Sequence, residues 1–148
     1  MSLNIFNAEH YCCPTEHDAI ANVMREEKRK NYRPLVYICS PYAGDVETNA
    51  ANARRYSRYA VERKCIPVAP HLLFPQFMND DVDEERKLGL FFGKVLLDKC
   101  REIWVFGACS SGMASELRRA RRKNMNVRRF RDDGATIEEV TECGVSEV

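Results

Sequence analysis

One segment of the sequence combines residue types that can bind an anion and attack an electrophilic carbon. Ser111 and Gly112 are expected to begin a helix. The Ser111 hydroxyl, the free backbone N–H groups of the first turn and the helix dipole all favour binding of a phosphate or another anion. Glu116 lies one turn further along, and a carboxylate beside the anomeric carbon of a sugar can act as a nucleophile. A structural alternative stays open, in which Ser111 only caps the helix and Glu116 pairs with Arg119 or Arg122.

A second loop carries hydroxyl groups and follows an apolar strand-like run. Residues 40–45 read Ser-Pro-Tyr-Ala-Gly-Asp, in which Ser40 and Tyr42 supply hydroxyls and Gly44 permits a tight turn. The segment is neither a GxGxxG fingerprint nor a P-loop, so dinucleotide or ATP binding through those motifs is not supported. A plain strand-to-helix turn capped by Asp45 is an equally open interpretation.

Other charged residues have competing explanations. His71 follows the second predicted strand, and a histidine pKa near 6.5 suits proton transfer, although a lone histidine more often packs or hydrogen-bonds. Residues 80–85 are acidic and predict a solvated stretch with a helix start. The basic cluster from Arg118 to Arg131 can attract phosphates, but its helical part has no interleaved aromatic side chains for stacking. The sequence therefore does not favour nucleic acid as a partner.

The elements that must position these residues alternate between strand and helix. A helix is predicted to begin at Thr15, and apolar runs predict strands at residues 35–39, 65–69, 103–106 and 127–130, with helices between them. This alternation predicts a three-layer α/β sandwich with a short parallel sheet of about four or five strands. Ligands of such sheets bind beyond the carboxyl ends of the strands, where residues 40–45, 70–76 and 107–112 would meet.

The sequence predicts two further details of the packing. Pro67 suggests that the second strand lies at an edge of the sheet, because proline cannot donate a ladder hydrogen bond. The helix before the third strand is expected to face the sheet with Leu88, Phe91, Val95 and Leu96.

Composition and charge limit the possible functions. The chain has 148 residues and a net charge of +1, so no global electrostatic term attracts it to nucleic acid or membrane. No apolar run approaches the roughly 20 residues that span a bilayer, and the first ten residues lack a signal-peptide layout. We expect one cytoplasmic domain over residues 1–148, with an N-terminal extension and helix at 1–33 and a C-terminal tail at 132–148.

The seven cysteines do not predict a disulfide framework or a metal site. Their number is odd and their spacing does not repeat, and several lie in apolar segments where a thiol behaves as a small hydrophobe. His10, Cys12, Cys13 and His17 form the one suggestive cluster. Adjacent cysteines fit a tetrahedral zinc site poorly, so no metal is expected there.

Four motifs together carry a resemblance to a known family. They are Tyr-Ile-Cys-Ser-Pro-Tyr-Ala-Gly-Asp at 37–45, Ala-Pro-His-Leu-Leu-Phe-Pro-Gln-Phe at 69–77, Trp-Val-Phe-Gly at 104–107, and Ser111-Gly112-Met113-x-x-Glu116. With them the chain resembles a bacterial and phage family of unknown function. That family is related to the nucleoside 2-deoxyribosyltransferases and the deoxynucleoside-monophosphate N-glycosidases, and the similarity covers nearly the whole chain.

The resemblance implies a flavodoxin-like or Rossmann-like fold with an extra N-terminal helix, and a nucleoside or nucleotide C–N glycosidic bond as the target. It implies Glu116 as the nucleophile, and our own hypothesis adds Asp98 or His71 as the group that assists departure of the base. Its implied substrate-binding residues are Ser40, Pro41, Tyr42, Ala43, Gly44, Ser111, Gly112 and Met113. The relatives use no metal or organic cofactor and assemble as dimers or larger oligomers, so a homo-oligomer (a dimer or tetramer) is expected.

One departure from the family pattern bears on catalysis. The characterised enzymes carry an aspartate on the helix before the third strand, which orients the sugar or protonates the base. This chain has Gly93 or Lys94 there, and Asp98 lies one turn further along. A general acid typically contributes about 100- to 10,000-fold. The alternative is therefore a non-catalytic nucleotide-binding or sensing module, and a nucleic-acid accessory protein ranks third.

Overall fold

The computed structural model describes residues 14–141, and its elements follow the predicted alternation. The helices are α1 (Pro14–Asn31), α2 (Val46–Glu62), α3 (Pro70–Leu73), α4 (Asp83–Lys99) and α5 (Ser111–Arg122), with a 3-10 helix at Phe74–Gln76. The strands are β1 (Leu35–Cys39), β2 (Ile66–Val68), β3 (Glu102–Phe106), β4 (Asn126–Asp132) and β5 (Ile137–Val140). His10, Cys12 and Cys13 lie outside the described residues, so the absence of a metal site there stays a prediction.

The described residues fall into two compact units that divide between Arg33 and Pro34. The first contains α1, an 18-residue helix with Glu16 in its first turn and a basic last turn, charges that suit the helix dipole at both ends. The second contains the sheet and the remaining helices. Between residues 14 and 141, none of the helices combines the length and the apolar character needed to cross a bilayer.

The described strands form a single five-stranded sheet in the order β2-β1-β3-β4-β5. The strands β1 to β4 run parallel, and β5 pairs antiparallel with β4, with Asp132 opposite Ile137. β2 lies at an edge, as Pro67 suggests. The predicted flavodoxin-like, Rossmann-like fold is confirmed, and its mostly parallel sheet has five strands within the described residues.

The sheet is buried on both faces because neighbouring strand residues point to opposite sides. On one face α2 covers a cluster rich in aromatic rings, in which Tyr56 stacks on Phe106 at a centroid distance of 4.2 Å. On the other face α4 and α5 cover β1 and β3, and Leu97 and Leu117 join the cluster from these two helices. The central strands are thus continuous apolar runs, which is why sequence alone locates them.

The prediction for the inner face of α4 is wrong. Gly93 and Leu97 are the buried positions of this helix, while Leu88, Phe91 and Val95 are 46%, 59% and 39% exposed. The helix carries apolar residues on two sides, and periodicity does not say which side meets the sheet. Glycine has no side chain and adds nothing to the hydrophobic pattern of the sequence. The face of α4 that approaches the sheet most closely is therefore the harder one to predict.

β5 was not predicted, because residues 132–148 were interpreted as a tail. The turn before β5 is built on Asp133, whose carboxylate accepts hydrogen bonds from the backbone N–H groups of Ala135 and Thr136. Arg128 and Glu139 then form a two-point ion pair across the two strands, at 2.8 and 2.7 Å. These contacts hold a strand whose own residues are mostly polar.

We predict that truncating Leu97 to alanine destabilises the protein by about 2–5 kcal/mol, since it leaves a cavity in a closed core. Leu90 on the same helix is 60% exposed and provides the matched control. Its alanine variant should change the free energy of unfolding by less than about 0.5 kcal/mol. Chemical denaturation of both variants checks the assignment, and equal losses would contradict it.

Candidate active site

The strand order of the sheet reverses between the neighbouring parallel strands β1 and β3. β1 leads through α2 to β2 on one side, whereas β3 leads through α5 to β4 on the other, and the two helices cover opposite faces. The loops after β1 and β3, residues 40–45 and 107–110, therefore leave neighbouring strand ends in different directions. The crevice at such a switch point is where open α/β sheets bind ligands.

Glu116 reaches from α5 to the end of β1 beside this switch point. Its Oε1 accepts a hydrogen bond from the Tyr37 hydroxyl at 2.8 Å, and the Cys39 thiol donates a second hydrogen bond to the same carboxylate. Tyr37 and Cys39 are two residues apart on β1, so both side chains point to the α5 face. The alternative in which Glu116 pairs with an arginine of its own helix is not what the structure shows.

Burial governs the electrostatics of Glu116. It raises the pKa of the carboxyl group above its usual value, and the hydrogen bonds from Cys39 and Tyr37 act in the opposite direction. The same burial, with the neighbouring carboxylate, raises the pKa of Tyr37 and of Cys39, so both keep their protons and remain donors at neutral pH. The result is a partly buried carboxylate held in place by two neutral groups.

Gly93 leaves space beside this cluster. A Cβ atom added at Gly93 would lie 3.6 Å from the Tyr37 hydroxyl oxygen and 3.9 Å from Pro70. Of the two positions aligned with the relatives' aspartate, Gly93 faces the Tyr37 hydroxyl, whereas Lys94 is exposed. Gly93 therefore contributes no side chain to the region next to the Tyr37–Glu116 pair.

The start of α5 presents free donors, although a different serine caps it. Ser110 is the N-cap, and its hydroxyl accepts from the Met113 backbone N–H at 3.4 Å. Ser111 and Gly112 are the first helical residues and are exposed, and helix geometry gives their N–H groups no intrahelical acceptor. The Met113 side chain is buried, and its Sδ accepts from the Ser110 backbone N–H at 3.5 Å, so Met113 completes the cap of the helix.

The predicted loop after β1 is fixed by hydrogen bonds from α2. The Asn49 side chain donates to the carbonyls of Tyr42 and Ala43, each at 3.1 Å. Gly44 has a φ of +97°, a conformation that favours glycine, and Asp45 caps α2 by accepting from Thr48. The capped-turn interpretation is therefore correct, and it leaves Ala43 and Gly44 exposed while Pro41 and Tyr42 are half-buried.

Ser40 and His71 form a separate pair at the ends of β1 and β2. Ser40 is buried, and its Oγ lies 3.0 Å from the His71 Nε2. Burial lowers the pKa of His71 to about 4, so the imidazole is neutral at pH 7. The Tyr42 ring tilts against the imidazole at a centroid distance of 6.1 Å, and its hydroxyl hydrogen-bonds Asp80 from the loop before α4.

Asp98 is bound to α5 rather than to Glu116. Its two carboxylate oxygens accept from Arg119 at 2.7 Å each, and Lys123 adds an ion pair at 2.9 Å. The hydrogen bonds from Arg119 and Lys123 hold the pKa of Asp98 well below its usual range. The structure therefore joins Glu116 of α5 to β1, and it joins Asp98 of α4 to the C-terminal end of α5. The two carboxylates belong to separate clusters.

The basic cluster from Arg118 to Arg131 is partly neutralised by acidic residues of other elements. Arg119 and Lys123 pair with Asp98, and Arg128 pairs with Glu139. Such cross-element pairs reduce the positive field that a nucleic acid would need.

Tyr37 and Cys39 are the site residues that the sequence analysis missed. Both lie in an apolar strand and were interpreted as core. Their signal is the two-residue spacing, which places a hydroxyl and a thiol on one face of β1, directed at whatever helix packs there.

We predict that His71 makes stability depend on pH below neutrality. Its folded pKa is about 4, whereas an unfolded histidine titrates near 6.5. The unfolded chain thus binds the extra proton first, and stability present above pH 6.5 is lost as the pH falls toward 4. Urea denaturation at pH 7 and pH 5 should show a smaller loss for His71→Gln than for the wild type. Equal losses would refute the assignment.

Comparison with known proteins places this chain in a family and a fold. The family model described as Domain of unknown function (DUF7768) matches residues 34–130. A search of curated proteins finds no significant match. A solved 2-deoxyribosyltransferase from the psychrotolerant bacterium Bacillus psychrosaccharolyticus, described as a biocatalyst for the synthesis of antiviral and antitumoral nucleosides, superposes with a TM-score of 0.54 at 15% identity. The match covers 70% of this chain and 77% of that one, and at this identity it shows the fold alone. The predicted relationship is confirmed: the chain belongs to the DUF7768 family of domains of unknown function and has the fold of a 2-deoxyribosyltransferase.

Proposed function

We propose that this protein cleaves the C–N glycosidic bond of a nucleoside or nucleotide, with Glu116 as the nucleophile. The observation that carries the proposal is the Glu116 carboxylate, partly buried at the strand-order switch point and hydrogen-bonded to Tyr37 at 2.8 Å. The groups that hydrogen-bond this carboxylate are the neutral Tyr37 hydroxyl and Cys39 thiol, which reduce its nucleophilicity less than an ion pair would. Its position one turn inside the exposed Ser111-Gly112 helix start fits a sugar with a 5′-hydroxyl or phosphate at that start.

The first step forms one bond and breaks another. A Glu116 carboxylate oxygen bonds to C1′ of the sugar, the C1′–N bond breaks, and its electron pair leaves with the base. The product is a glycosyl ester of Glu116 and a free base that takes up a proton. Tyr37 and Cys39 act as positioning residues, because they direct the carboxylate without touching the reacting carbon.

The second step restores the carboxylate. Water, or an N–H nitrogen of another base, attacks C1′, the C1′–ester bond breaks to release Glu116 as a carboxylate, and the attacking group loses one proton to solvent. With water the product is the free sugar or sugar phosphate and the reaction is hydrolysis, whereas with a base it is a new nucleoside. The loop at residues 40–44 lines the opposite wall in this proposal, with the half-buried Tyr42 offering its ring to the base.

Assistance to the leaving base falls to His71 rather than to Asp98 in this proposal. Asp98 has no proton to give, because Arg119 and Lys123 keep it ionised. His71 is neutral at pH 7 and has a ring N–H that can hydrogen-bond a departing nitrogen, but it is a weak proton source. The expected activity is therefore slow on bases that need full protonation, and faster on bases that leave as stable anions.

A second candidate is a nucleotide-binding module without turnover, and Gly93 is the observation that favours it. The turn of α4 that faces Tyr37 carries no carboxylate, so a general acid is absent from this position. In that case nucleoside monophosphates would raise the melting temperature, since a ligand that binds only the folded state stabilises it. Turnover assays on the same nucleotides distinguish the two candidates.

We predict that Glu116→Gln reduces base release by at least about 1000-fold, because the amide cannot attack C1′. Purified protein is incubated with nucleosides and their monophosphates, and free base is followed by chromatography. Glu62→Gln, an exposed change on α2, is the matched control and should retain full activity. The catalytic proposal would be refuted if Glu116→Gln released base as fast as the wild type. It would also be refuted if the wild type released no base from any of these substrates.

We predict that Tyr37→Phe moves the acidic limb of kcat/KM to higher pH. The phenol donates to the ionised Glu116, so its removal destabilises the charged form and raises the pKa of the carboxyl group. The nucleophile then needs a higher pH to be ionised in the free enzyme. A pH profile with an unchanged acidic limb and only a lower plateau would mean that Tyr37 does not act through the carboxylate.

A further inference from the structure

The pairing of β1 with β2 brings Ser40 and His71 together beyond the carboxyl ends of the two strands. Tyr37 lies opposite Val68 in this parallel ladder, and the same sequence offset relates Ser40 to His71. The Ser40 Oγ lies 3.0 Å from the His71 Nε2. The contact between the two side chains is therefore set by the strand register, which leaves little freedom to the ring.

The surroundings of Ser40 decide the direction of this hydrogen bond. Ser40 is buried, and its hydroxyl oxygen makes no hydrogen bond with any other residue in the described part of the chain. A buried hydroxyl hydrogen that has no acceptor is costly, because it has lost its bond to water. The Nε2 of His71 is the acceptor that satisfies it, so the Ser40 hydroxyl donates to an Nε2 that carries no proton.

The proton of the ring then lies on the other nitrogen. Burial keeps His71 neutral at pH 7, and a neutral imidazole has one N–H group and one acceptor nitrogen. The Nδ1 makes no hydrogen bond with the residues between 14 and 141. None of the buried side-chain nitrogen or oxygen atoms of those residues lacks a partner, so Nδ1 is in contact with solvent. The pair thus presents a fixed N–H donor at the strand ends.

We propose that Ser40 is a positioning residue, which holds His71 in the tautomer whose Nδ1–H donates to the departing base. The assignment rests on the proposed function, since the base leaves with the electron pair of the C1′–N bond and needs a donor to stabilise it. Of the two neutral tautomers, the one with Nδ1–H offers that donor to a bound molecule. The substrate base accordingly presents an unprotonated nitrogen or a carbonyl oxygen to Nδ1. Ser40 acts through His71 and does not itself contact the substrate.

Nitrogen NMR of the full chain, labelled at histidine, tests the tautomer without any need for activity. The chain has three histidines, and the signals that disappear in His71→Gln belong to His71. At neutral pH the wild type should show a protonated Nδ1 and an unprotonated Nε2. Ser40→Ala should move both signals toward those of a tautomer mixture, and Ser40→Thr, which keeps a hydroxyl, should restore the wild-type pattern. Circular dichroism melts confirm that the variants are folded.

The kinetics of base release separate positioning from substrate binding. Ser40→Ala should lower kcat and kcat/KM equally, by about tenfold, because it weakens an interaction made in the transition state. Ser57→Ala is the matched control: this half-buried serine on α2 donates to the Ala53 carbonyl, and its variant should leave kcat and the His71 spectrum unchanged.

Three results overturn the assignment. They are a protonated Nε2 in the wild type, a His71 spectrum that Ser40→Ala leaves unchanged, and a Ser40→Ala variant in which KM rises while kcat does not fall. A wild type that shows the expected spectrum but releases no base would refute the glycosidic function and the catalytic use of Nδ1, whereas the tautomer set by Ser40 would stand.

Discussion

The Glu116 carboxyl group lies where burial penalises its charged form, and several elements are arranged around it. Withdrawing a carboxylate from water costs several kcal/mol, and donors must offset most of it. Tyr37 and Cys39 are those donors, and they share a face of β1 only because strand residues alternate. Glu116 in turn must lie on the side of α5 that faces β1, one turn inside the capped helix start. The strand, the helix and the loop that joins them are therefore constrained by one ionisable group.

The sequence revealed the parts of the fold that depend on local pattern. β1 and β3 are apolar runs that end at turn residues, and the helix that begins at the Ser-Ser-Gly segment is visible from residue types, although its cap is Ser110 rather than Ser111. The parts that depend on contacts between distant residues were not accessible. β5 is mostly polar, and it is held by Arg128 and by the turn at Asp133 rather than by a hydrophobic pattern. The side of α4 that contacts the sheet is the side on which Gly93 permits a close approach. Glycine does not contribute to the apolar pattern of the sequence, so this side was not predicted.

The residues of the candidate site were likewise predictable where they depend on local spacing, and not where they depend on contacts between distant elements. Glu116 could be selected because its spacing from the helix start is local, whereas its partners on β1 are 77 and 79 residues away in sequence. Asp98 looked available because periodicity along α4 does not reveal Arg119 and Lys123 on the neighbouring helix. Ion pairs with a neighbouring helix thus make Asp98 a link between α4 and α5, whereas Glu116 hydrogen-bonds neutral groups of β1. The arginine-rich appearance of α5 has the same explanation, since part of its charge is compensated from outside the helix.

Gly93 lowers the stability of the α4 helix and leaves open volume beside the Tyr37 hydroxyl. A glycine inside a helix costs roughly 1 kcal/mol relative to alanine. The surroundings at this position would accept a methyl group, because its nearest neighbours would lie at ordinary contact distances of 3.6 and 3.9 Å. Alanine would therefore give a more rigid α4 and a smaller space above the Tyr37 hydroxyl. The stability of α4 and the open volume beside the Tyr37 hydroxyl are thus coupled through one residue, and a substitution that favours either property would alter the other.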